Sequence, residues 1–198
     1  MRTSLFAVLT ATLLLSACNS HRTTDIATEI VNPLTASRYG DELADRLADL
    51  IIESDPVIQE PGMADYVTGK ISDAKSIAAE ARLLQDRGMM GALIGEKQSV
   101  IGYALYVDDV LYFSSDFETD PGPSLHVFLS TVVDPRDATF PDETAIDLGE
   151  IQTPYGPTAY DVPHQEEPEL LRTLVLFDTK LERLYGFSQL SVRGKEPL

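Results

Sequence analysis

The chain has 198 residues, with 15 Lys and Arg against 32 Asp and Glu, and a formal net charge of −17. A surface this acidic repels phosphate backbones, which excludes nucleic acid as a partner. Apolar residues at 43% and charged residues at 24% sit near globular averages and exclude wholesale disorder, while the single cysteine, Cys18, excludes an intrachain disulfide.

The first element is an address. Arg2 supplies a positive start, Leu5 to Leu15 form an apolar run too short to remain as a membrane span, and Leu15-Ser16-Ala17-Cys18 follows. That ending has the pattern of a bacterial lipoprotein signal: small residues at 16 and 17 fit a narrow peptidase cleft, and the Cys18 thiol accepts a diacylglycerol. Residues 1–17 are then a cleaved signal, and acylated Cys18 makes membrane lipid the first partner. Asn19 after the cysteine, by similarity to the enteric sorting rule, directs the chain to the outer membrane of the cell envelope. No other segment approaches eighteen uninterrupted apolar residues.

Residues 18–36 mix Thr, Ser and Asn without a clear period and read as lipidated cysteine plus tether. Residues 37–90 read as a helical segment. Leu43, Leu47, Leu50 and Ile51 recur at helical spacing up to Asp55-Pro56, and Ile71, Ala74, Ala78, Ala81 and Leu84 line a second helix over 71–87, with Gly88 at its C-cap. Both polar faces are mostly acidic, so the helices are expected on a protein core rather than on anionic lipid.

From residue 91 the period becomes two. Val100 to Val107 alternates, Asp108-Asp109 turns, and Val110 to Phe113 returns as a hairpin. Short strands are expected at 125–133, 145–148, 160–162, 174–178, 184–187 and 189–192, divided by Pro and Gly clusters. The fold class is therefore mainly β: an antiparallel β-sandwich over 91–194, alternatively a partly closed barrel, preceded by the two helices.

Within that region stands Asp116-Phe117-Glu118-Thr119-Asp120-Pro121-Gly122-Pro123-Ser124-Leu125-His126-Val127-Phe128-Leu129, followed by Gly149, Gly156, Tyr160-Asp161-Val162-Pro163 and Leu174-Val175-Leu176-Phe177. This series resembles the signature of the domain family called electron transfer DM-thirteen, over roughly residues 91–194. The resemblance implies a small extracytoplasmic β-sandwich with a proposed electron-transfer role resting on a cysteine. At the matching position this chain has Asp178, which departs from the pattern at the residue the redox role needs. Read physically, Phe117 anchors a loop, Gly122 allows a backbone conformation closed to other residues, and Leu125, Val127 and Leu129 point opposite to His126 and Phe128.

The chain has no complete catalytic set. It lacks a Gly-x-Ser-x-Gly elbow, its thiol is taken by lipid, and its histidines are only His21, His126 and His164. The leading expectation is a non-catalytic binding or assembly module with no cofactor and an envelope protein as partner. Two alternatives stay open. One is a haem-like redox group held by His126 with Tyr103, Tyr106 or Tyr160 nearby. The other is calcium-dependent adhesion through the acidic clusters Asp116, Glu118, Asp120 and Asp134, Asp137, Asp142, Glu143.

Overall fold

The computed structural model describes residues 26–192. The expected signal, Cys18 and His21 lie outside the described residues, as do residues 193 and 194 at the end of the expected β region. The first described elements are a single turn, α1 (Ile26–Glu29), then α2 (Pro33–Ile52) and α3 (Met63–Arg87). Structure thus begins inside the stretch expected as tether, and α2 starts at Pro33 rather than Ser37. The cause is local. Asn32 Oδ1 accepts from the Leu34 and Thr35 amides at 3.0 and 3.5 Å, and Pro33 fills a first-turn position that has no use for an N–H. Asn32 Nδ2 also donates to the Phe113 carbonyl at 2.7 Å, tying the helix start to the β region.

After α2, Asp55 caps a 3₁₀ turn over Pro56–Gln59 by accepting from the Val57 amide at 2.9 Å. α3 begins two turns before the expected Ile71 and stops at the expected Gly88. The contact between the helices differs from the leucine stripe that periodicity picks out. Leu43, Leu47 and Leu50 are half-buried and Ile51 is exposed, whereas Ala36, Gly40 and Ala44 of α2 and Ala74, Ala78 and Ala81 of α3 are buried. A Cβ added to Gly40 would lie 2.5 Å from the Ala74 carbonyl oxygen and 2.9 Å from Ala78 Cβ. Small side chains let the two backbones approach until the helix surfaces mesh. The leucines are left on the flank of that seam.

The β region has twelve strands: β1 (Met89–Ala92), β2 (Ile94–Gly95), β3 (Val100–Ile101), β4 (Tyr103–Val107), β5 (Val110–Phe113), β6 (Glu118–Thr119), β7 (Leu125–Ser130), β8 (Ile146–Glu150), β9 (Ala159–Asp161), β10 (Thr173–Asp178), β11 (Arg183–Gln189) and β12 (Ser191–Val192). Sheet one runs β12-β1-β4-β5-β9, sheet two runs β2-β11-β10-β7-β8, and β3 pairs with β6 apart from both. All pairings are antiparallel, as the alternation predicts. β1 belongs to sheet one and β2 to sheet two, with Leu93 between them. β11 and β12 change sheets in the opposite sense at Leu190. The two sheets therefore share one side, while β8 and β9 remain the outer edges of an open sandwich. The sheets do not close into a barrel.

Inward side chains follow the period of two. Leu125, Val127 and Leu129 meet Ala104, Tyr106, Leu111, Phe113, Leu174 and Leu176 in the inter-sheet core, and His126 and Phe128 point outward. Asp108 and Asp109 both have positive φ, 51° and 58°, the backbone of the tight two-residue hairpin expected there. The helices lie on the outer face of sheet one. Leu105, which alternates outward, is fully buried beneath them, and a Cβ on Gly88 would come 2.7 Å from the Tyr106 carbonyl oxygen. β1 begins at Met89, whose side chain is in the core, so the boundary expected at residue 91 falls inside a strand.

The Gly40 seam gives a paired test. Gly40→Val should destabilise the protein by roughly 2–4 kcal/mol in urea unfolding, because its Cβ would overlap backbone that cannot yield. Gly69→Ala, mid-helix with nothing within 4 Å of the new Cβ, should stabilise it by about 0.5–1 kcal/mol. Equal effects of the two would remove the close-approach argument.

Candidate functional site

Asp178 ends β10 and is completely buried. Its Oδ2 accepts from the Ser124 amide at 3.2 Å, and its Oδ1 accepts from the Lys180 and Leu181 amides at 3.0 and 2.9 Å. Burial alone pushes this carboxyl up. The Leu181, Ser124 and Lys180 amides together outweigh it, with nearby His126 adding, so the group sits below its usual range. One carboxylate thereby holds the β10–β11 turn to the segment entering β7. Gly122 lies directly over it: a Cβ there would be 2.6 Å from Asp178 Oδ2 and 2.9 Å from the Tyr185 hydroxyl. Gly122 is needed for this close approach and not for a positive φ, which corrects the sequence reading. Tyr185 is buried too, and burial followed by the Asp178 charge pushes its phenol up.

The other motif residues take structural places. Phe117 is buried against Phe113, ring centroids 4.4 Å apart. Gly149 and Gly156 have φ of +101° and +81°, a region that favours glycine. Tyr160 is buried, and its hydroxyl accepts from the Gln152 amide at 2.9 Å. Pro163 follows Val162 just beyond the end of β9, and Pro123 is exposed one residue before Ser124.

His126 lies on the outer face of sheet two. Its Nδ1 is 3.0 Å from both Asp147 carboxylate oxygens, and the Gly149 amide donates to Asp147 Oδ1 at 2.8 Å. The tyrosines weighed with it do not gather around it: Tyr106 and Tyr160 point into the core from sheet one, and Tyr103 stands on that sheet's opposite face. His164, largely exposed, bonds Asp109 at 2.7 Å.

The acidic clusters do not converge. Asp120 accepts from the Ser99 amide, Asp134 takes the Arg136 side chain and amide, and Asp142 receives the Ser130 hydroxyl and the Thr144 amide. Its hydrogen bond to the Arg136 side chain, then to the Arg136 amide, lowers the Asp134 carboxyl to about 2. Asp116, Glu118, Asp137 and Glu143 are exposed. Among the described residues no three His, Cys, Asp or Glu side chains are placed to share a metal ion.

A concavity on the outer face of sheet two has no counterpart in the sequence pattern. Phe128, Val175, Phe177 and Phe187 form a second apolar cluster there. The 131–145 connection folds back over it, with Phe140 5.3 Å from both Phe128 and Phe177 and the Arg136 guanidinium 5.0 Å above Phe187. Between this connection and the 96–98 and 179–184 turns lies an open groove of about 1070 Å³. Phe140, Phe177, Leu181 and Leu184 give it an apolar surface; Lys97, Arg136 and Arg183 face Glu96 and Glu182 around it. Gln98 lines it as well, and its Oε1 is buried with no hydrogen-bond partner among the described residues. No periodic signal announces this groove, because it is built from three loops far apart in sequence. The run of phenylalanines at 128, 140, 177 and 187 is the trace it leaves in the chain.

Comparison of the chain with protein-family models, with curated proteins and with solved structures gives no match in any of the three.

The Asp178 arrangement predicts its own pH dependence. Its folded-state pKa lies below the ordinary value, so the carboxylate's contribution is complete above the ordinary range and is lost as pH falls through the depressed value. Asp178→Ala should cost about 3 kcal/mol or more at neutral pH, since three amides lose their acceptor. Asp178→Asn should also flatten the acid limb of the stability-versus-pH curve. An unchanged acid limb in Asp178→Asn would mean that the carboxylate is not what the amides hold.

Proposed function

We propose that this chain is a lipid-anchored envelope protein whose β-sandwich is a non-catalytic binding module, with the groove on sheet two as its site. The observation that carries the reading is the groove itself. Its apolar surface and its charges of both signs match a peptide segment with an apolar anchor residue and flanking charges. At about 1070 Å³ it lies at the top of the range of small-molecule pockets and has room for a peptide segment. The ligand class is therefore an extended segment of a partner protein. The address at residues 1–18 supports the anchoring half of the proposal, and the motif at 116–129 supports kinship with DM-thirteen domains.

Electron transfer is the second reading, favoured by one observation. Asp147 grips His126 Nδ1, as outer-shell carboxylates grip metal-ligating histidines. Against it, Asp178 occupies the position the resemblance assigns to cysteine. Its oxygens are committed to backbone amides, and a carboxylate does not cycle between thiol and disulfide.

Two measurements test the anchored binding module. Cys18→Ser should abolish labelling of the protein by a fatty-acid probe in cells; equal labelling of mutant and wild type ends the lipoprotein reading. A photo-crosslinking residue at Thr139, beside the groove, should give one discrete adduct in cells, lost on Leu184→Asp. The same residue at Tyr155, remote from the groove lining, should give none. Identical adducts from both positions would sink the groove as the binding site.

A further inference from the structure

The helices do not cover all of sheet one's outer face. Along β1 the outward positions are Met90 and Ala92; Tyr103 of β4 shares that face, and Ile101 of β3 lies two residues before it. Ala92 pairs with Tyr103, whereas Ile94 pairs with Phe187 and so stands on the outer face of sheet two. Ile101 and Tyr103 are 51% and 47% exposed. Leu34, in the first turn of α2, closes a shallow hollow with Met90 and Tyr103, and Val31, 67% exposed, precedes the Asn32 cap. Single exposed apolar residues need no explanation, but a contiguous set of them marks a surface that is covered by something.

The chain enters the fold at this same end. Asn32 bonds the Phe113 carbonyl, and Ser114, the next residue, lines the hollow. Seven residues separate Cys18 from Ile26, a reach of at most about 25 Å at 3.3–3.6 Å per residue. A lipid on Cys18 would therefore hold this end, and no other, close to the bilayer.

We infer that the patch of Val31, Leu34, Ile101 and Tyr103 rests in the membrane interface. This inference depends on the lipid-anchor reading proposed above. The patch combines branched aliphatic side chains with a tyrosine, whose amphipathic ring suits the headgroup level. Its rim carries Arg38, Asp116 and Glu118, charges of both signs, so the lipid it fits is zwitterionic; a net charge of −17 disfavours an anionic leaflet. The tether raises the local concentration of patch and membrane, so that weak insertion suffices once the lipid is in place.

The test uses the mature acylated protein in phosphatidylethanolamine–phosphatidylcholine vesicles. Acylation consumes the Cys18 thiol, so Ile101→Cys or Thr139→Cys each accept a single environment-sensitive dye at an exposed position. The dye at 101 should be blue-shifted and several-fold less quenched by iodide than the dye at 139, and both should be equally quenched in unlipidated Cys18→Ser protein. Vesicle-bound protein with equal quenching at 101 and 139 overturns the inference and leaves the anchor standing. Dye on Cys18 itself, with protein that stays off vesicles, removes the anchor and the inference together. Shielding at 101 without vesicles, rising with protein concentration, shows a second copy on the patch and also overturns the inference.

Discussion

Two strands that change sheets hold this molecule together. The chain passes from β1 to β2 at Leu93 and from β11 to β12 at Leu190, and both leucines turn inward as the backbone crosses. Each half of one bent strand lies beside the opposite half of the other, β1 against β12 and β2 against β11. The two sheets therefore cannot slide independently, and their inner faces close on a single core. β1 follows α3 directly and β12 is the last described strand, so this crossing joins the two ends of the β region. Everything else hangs on the two faces it fixes.

On one face, the helical pair is thin enough to lie flat only because its seam is made of alanine and glycine. Larger side chains at Gly40 or Ala78 would lift α2 off α3, and Leu105 of the sheet beneath would lose its cover. The same geometry that sets the helices over Leu105 leaves Tyr103 uncovered at the other end. On the opposite face, the 131–145 connection does with aromatic rings what the helices do with alanines. It caps Phe128, Phe177 and Phe187, but only in part, and the uncapped remainder is the groove.

Asp178 shows how one position decides between two kinds of chemistry. A thiol there would sit beneath Gly122 with three amide donors and little to offer them, since sulfur is a weak acceptor. A carboxylate satisfies all three and fixes two loops at once. A carboxylate at this position leaves no thiol there for redox chemistry.

Much of this was legible in the chain. Alternation of period two marked β4, β5, β7 and β10, though not β1, β2 or β6, and correctly divided Leu125, Val127 and Leu129 from His126 and Phe128; Gly88 marked the end of α3. These are local properties: which side of a pleat a residue faces depends on its immediate neighbours. The start of α2 was also written locally, in Asn32-Pro33, although the stripe of leucines drew the eye downstream. Three features belong to tertiary structure alone. Gly40 became the helix seam because Ala74 and Ala78 came opposite it, Gly122 was fixed by the Asp178 and Tyr185 atoms beneath it, and the groove arose where turns at 96–98, 131–145 and 179–184 met. Each depends on atoms remote in sequence, and a distance between such atoms is set by how the sheets are joined, which no local pattern encodes.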